Sequence, residues 1–165
     1  QKSAPSGSFN FPTGITINDA STRAYVTDSG NRRIVEIDIS GGAFSVLTSY
    51  GSAGTGVGQF GALGGIDVDS TGKIYVVDTG NNRIVRIDDM TGANWVAFGT
   101  AGSGTGQFSI AAGIAVDSAG RIHVTDEGNH RVVRFNDMTG AGWISLGTQG
   151  SGTFQFNQPG AIVIR

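Results

Sequence analysis

The stretch "DTGNNRIVRIDDMTG" (Asp78 to Gly92) returns 48 residues later as "DEGNHRVVRFNDMTG" (Asp126 to Gly140). A repeat of this length constrains the fold more than any other feature of the chain. One such unit is too small to bury its own apolar face and has to stack on copies of itself. Phe60, Phe108 and Phe156 keep the same 48-residue spacing, as do Trp95 and Trp143. An earlier copy begins at Phe9, where Asp28, Asn31 and Arg33 answer Asp78, Asn81 and Arg83, and then Asp126, Asn129 and Arg131. That copy is 51 residues long and reads "ITINDASTRAYVTD" against "IDVDSTGKIYVVD" in the second, so an extra residue sits in its first turn.

Each copy divides into four short runs bounded by turn residues. In the second copy these are "GIDVD" (Gly65 to Asp69), "IYVVD" (Ile74 to Asp78), "RIVRID" (Arg83 to Asp88) and "NWVAFG" (Asn94 to Gly99). The runs are rich in β-branched and aromatic residues, as strands are. "DSTGK", "DTGNN" and "DDMTG" between them supply Asp, Asn and Gly, which bond locally or tolerate positive φ, and so predict hairpin turns. The 28 glycines and the scarcity of Leu, Glu and Lys argue against helices. Ile74 with Val76 and Tyr75 with Val77 make both alternating sets apolar, so both faces of the sheet are predicted to be covered. The reading is all-β: a β-propeller of four-stranded antiparallel blades in one domain, residues 1–165. Blade one covers 9–59, blade two 60–107 and blade three 108–155, and residues 156–165 start a fourth blade with its innermost strand.

The run "GQFSIAAGIAVDSAGRIHVTDEGNHRVVRF" (Gly106 to Phe135) resembles the NHL-repeat family of β-propellers, whose repeats look like "G-x-F-x-x-P-x-G-I-A-V-D … G-x-I-Y-V-A-D … N-x-R-I/V". The likeness recurs three times and covers nearly the whole chain. Departures are Leu63 and Ala111 where Pro12 and Pro159 keep the proline, and Asn18 and Arg165 where the Asp of "AVD" is expected. The resemblance implies a ring that usually has six blades. It also implies relatives that include lyases binding zinc through several histidines, and RNA-binding domains.

Candidate functional residues are weighed against structural roles. Asp28 with Arg33, Asp78 with Arg83 and Asp126 with Arg131 are placed opposite each other across a hairpin, where an exposed cross-strand ion pair contributes roughly 0.2–1 kcal/mol. The same residues could instead form a rim of carboxylates and guanidiniums that binds a ligand or calcium. A turn device recurs in every copy whereas a catalytic site does not, so the pairs are assigned to the turns. His123 takes the strand position of Tyr25 and Tyr75, and His130 the loop position of Arg32 and Asn82; two histidines of one copy are too few for a zinc site. Trp95 and Trp143 are read as packing between blades, with His130 and the two tryptophans as the alternative rim contacts. The glycine-rich stretches "GSAGTGVGQF", "GTAGSGTGQF" and "GTQGSGTFQF" lack the helix and the Lys-Ser/Thr of a phosphate loop and are read as links between blades. No hydroxyl has an evident base and orienting partner, so no catalytic residue, cofactor or metal is assigned.

A net charge of −2 and only two lysines, Lys2 and Lys73, offer no broad basic face, which disfavours nucleic acid; the RNA alternative would rest on nine arginines, three of them committed to turns. No apolar stretch reaches membrane-span length and residues 1–12 carry no signal-peptide pattern. The chain has no cysteine, hence no disulfide framework, and the Gly/Ser/Thr-rich, Lys-poor make-up points to an extracellular or cell-surface protein, with the cytoplasm as the alternative. Three blades do not close a ring, so bare blade faces are expected to be covered by a homo-oligomer (a dimer of arcs or a head-to-tail filament) or by the rest of a longer chain. The function expected is therefore a non-catalytic interaction and scaffold protein acting by self-association or protein binding. The alternatives are a fragment of a lyase-like or lactonase-like propeller enzyme and an RNA-binding domain.

Overall fold

Inner-to-outer order follows chain order in each of three four-stranded antiparallel sheets of the computed structural model, which describes residues 8–164. Blade one is β1 (Pro12–Ile17), β2 (Arg23–Asp28), β3 (Arg33–Asp38) and β4 (Ser45–Tyr50). A link carries β5 (Ser52–Ala53) and β6 (Gln59–Phe60) into blade two, made of β7 (Ile66–Val68), β8 (Ile74–Asp78), β9 (Arg83–Ile87) and β10 (Val96–Phe98). A second link, β11 (Thr100–Ala101) and β12 (Gln107–Phe108), leads to blade three: β13 (Ala111–Val116), β14 (Ile122–Asp126), β15 (Arg131–Phe135) and β16 (Ile144–Leu146). A third link holds β17 (Thr148–Gln149) and β18 (Gln155–Phe156).

The double apolar alternation is explained by the stacking of blades. Tyr75, Val77 and Ile84 of blade two share a core with Phe108, Val124 and Phe135 of blade three. Their neighbours Ile74, Val76 and Val85 turn the other way and share a core with Ile34, Tyr25 and Tyr50 of blade one. The central strands β8 and β9 of the middle blade therefore bury both of their faces.

The links are more structured than their composition predicts. Each closes on itself as a two-residue parallel pair, Ser52 with Gln59, Thr100 with Gln107 and Thr148 with Gln155. Gly51 and Gly99 enter these links at φ +118° and +114°, and a Cβ at either would come within 2.6 Å of the ring of Phe60 or Phe108. Positive φ and a ring lying flat on the backbone both demand glycine there.

The two ends of the arc differ from its interior. Ile15 is 66% exposed, whereas Ile66 and Ile114 at the same repeat position are 5% and 4% exposed. Phe9 is 43% exposed, whereas Phe60 and Phe108 are fully buried. At the far end, the run expected to be a fourth innermost strand lies in place but is not laddered. The Thr125 hydroxyl donates to the Gly160 carbonyl, as the Thr27 hydroxyl donates to the Gly64 carbonyl at 2.8 Å. Residues 160–164 nonetheless join no sheet. A strand needs a neighbour for its N–H and C=O groups, and residues 160–164 have no laddered neighbour among the described residues. Arg165, expected at the end of that run, lies outside the described residues.

Candidate functional site

The repeated Asp, Asn and Arg converge in every blade. The second hairpin turns through a 3-10 turn, Ser29–Asn31, Thr79–Asn81 or Glu127–Asn129, and then a left-handed residue, Arg32, Asn82 or His130. This geometry sets Asp78 opposite Arg83, and likewise Asp28 opposite Arg33 and Asp126 opposite Arg131. Asp78 Oδ2 accepts from Asn81 Nδ2 and Arg83 Nε, both at 2.8 Å, while its Oδ1 accepts from the Gly61 N–H at 2.8 Å. Asp126 does the same with Asn129, Arg131 and the Ser109 N–H, and Asp28 with Asn31, Arg33 and the Asn10 N–H.

The three carboxylates have no solvent exposure at all, which corrects the expectation of exposed, weakly contributing pairs. The arginines also reach further than the turn. Arg83 Nη1 donates to the Thr55 carbonyl and Nη2 to the Gln59 carbonyl, at 2.8 and 2.9 Å, and Asn81 donates to the Gly54 carbonyl. Arg131 and Asn129 grip Ser103, Gln107 and Gly102 in the same way. The nodes of blades two and three thus each tie a hairpin to the link that precedes the blade. Their polar atoms are spent on backbone, with both carboxylate oxygens already occupied.

The tryptophans belong to this device rather than to a rim. Arg83 lies over Trp95 at 5.6 Å and Arg131 over Trp143 at 5.7 Å. Trp95 packs on Phe60 at 5.3 Å, and Trp143 stacks on Phe135 at 5.6 Å with 12° between planes. Both are half-buried between blades. His130 sits on the rim in the left-handed position, where its Nδ1 accepts from the Gln158 N–H at 3.3 Å.

His123 marks a second motif that the repeat spacing could have disclosed. Its Nε2 lies 3.0 Å from Asp117 Oδ2, which also accepts from Arg121 Nε at 2.7 Å. Blade two has Tyr75 and Asp69 at the same two positions, 3.1 Å apart. Asp67 is a feature sequence reading missed: its Oδ1 accepts from the Thr16 hydroxyl at 3.0 Å and its Oδ2 from the Val116 N–H at 2.7 Å. One carboxylate clamps the innermost strands of all three blades. A cleft of about 540 Å³ opens where those strands meet, lined by glycines and alanines of β1 and β13, with Thr79 and Glu127 at its edge. Thr79 donates its hydroxyl to the Ala111 carbonyl at 2.7 Å. Among the described residues no group of three His, Asp or Glu side chains is arranged to hold a metal ion.

Several carboxylates titrate below their ordinary range. Burial pushes Asp28 up, but the hydrogen bonds from Asn10, Asn31 and Arg33 outweigh it and its pKa falls. At Asp117 burial is likewise overcome, by His123, Arg121 and the Ala119 N–H, and at Asp69 by Thr71, Lys73 and Tyr75. A carboxylate with a depressed folded pKa contributes stability that is fully present above its unfolded value, roughly pH 4, and is lost as pH falls through the folded value. The urea midpoint is therefore expected to fall steadily below about pH 4, and a flat midpoint down to acid pH would contradict these networks. Tyr75 is pushed the other way, to about 12, by burial and then by Asp69.

A family model described as NHL repeat matches residues 61–87 and 108–135. No match is found among curated proteins. Among solved structures, the chain is similar to a virginiamycin B lyase from Staphylococcus aureus, solved as a catalytically inactive variant with quinupristin. The TM-score is 0.60 at 19% identity, over 91% of this chain and 44% of that one. It is similar to a chain of a nidogen/laminin complex (TM-score 0.63, 20% identity, 83% of this chain and 48% of that one). It is also similar to a periplasmic gluconolactonase from Pseudomonas aeruginosa (TM-score 0.62, 15% identity, 94% of this chain and 43% of that one). The chain spans less than half the length of each, and at these identities the likeness is one of fold. Two of the three copies thus match the NHL-repeat model, and the 48-residue period with three stacked four-stranded sheets gives the chain the fold of a β-propeller segment.

Proposed function

We propose that this chain is a non-catalytic β-propeller module that works by association, through its blade faces and rim loops. The observation that carries this reading is the bare first blade. Phe9, Ile15 and Ile17 stand exposed where blade two buries Phe60 and Ile66. A contiguous apolar face of several hundred Å² rarely stays in water. Support also comes from the spent nodes, whose carboxylates and guanidiniums bond backbone and each other. The nidogen/laminin neighbour, itself taken from a complex, is in keeping with this reading.

The lyase and gluconolactonase neighbours support a second reading, in which an active site is completed by blades outside this chain. The two readings part on one experiment. The protein isolated intact from its source, with any further blades it carries, is assayed with a streptogramin and with a gluconolactone, alongside metal analysis after dialysis. No turnover and no stoichiometric zinc are expected, and one retained zinc per chain together with turnover would overturn the non-catalytic reading.

A further inference from the structure

We draw no further inference here: the strongest candidate, the cavity of about 460 Å³ between blades one and two where Glu36, Asp88 and Asp89 gather beside Tyr25 and Thr48, is an acidic cluster whose carboxylates already accept from Tyr25, Asn94 and Thr91, and no second feature among the described residues points to what it would bind.

Discussion

Asp126→Ala is expected to lower the stability of the chain by about 3–5 kcal/mol, read as a shift of the urea midpoint at neutral pH. Asp126 is fully buried and accepts from Asn129, Arg131 and the Ser109 N–H. Removing it strands the Ser109 N–H, the Asn129 amide and the Nε of Arg131 in a place that water does not reach. Losing one partner of a buried charged pair costs more than the pair contributes, because the surviving charge keeps its desolvation penalty. Arg131 retains the Ser103 and Gln107 carbonyls, which places the loss toward the lower end of that range. Asp126→Asn keeps an acceptor without the charge and is expected to fall between. A loss below about 1 kcal/mol would mean that the node is solvated and behaves as a surface pair.

Phe108→Ala is expected to cost about 3–5 kcal/mol as well, through a cavity that its neighbours cannot fill. The ring is fully buried between blades two and three, with Phe98 at 6.4 Å, Phe135 at 6.5 Å and Trp143 at 5.6 Å. Phe156 occupies the same repeat position at the open end and is only half-buried. Phe156→Ala is accordingly expected to cost under about 1 kcal/mol. Equal losses at the two positions would show that the far face of blade three is covered in solution.

The strands and the blade period are legible in the sequence because side-chain alternation and turn residues are local. "IYVVD" and "RIVRI" declare their strands without reference to anything distant. The depth of Asp78 and Asp126 is not legible in that way. Spacing puts a carboxylate opposite an arginine, but its burial comes from the link wrapping over it, and the link binds through carbonyls that any residue carries. Asp67 escapes for the opposite reason: it occurs in one copy only, with Thr16 and Ala115 at its place in the others, so the repeat hides it. The Tyr75–Asp69 and His123–Asp117 contacts were within reach, since both members recur at the blade spacing. The final run carries a strand pattern, but a pattern on one strand says nothing of whether a second lies beside it.

The grip of each arginine on the link before it bears on how the chain comes apart. Because Arg83 and Asn81 hold Thr55, Gln59 and Gly54, opening the second hairpin of blade two also releases its attachment to blade one. Arg131 and Asn129 couple blade three to blade two likewise. Coupling between neighbours of this kind makes a stack of otherwise independent units melt as one cooperative body rather than blade by blade. The middle blade, held on both sides, is then the last of the three to exchange its amide protons.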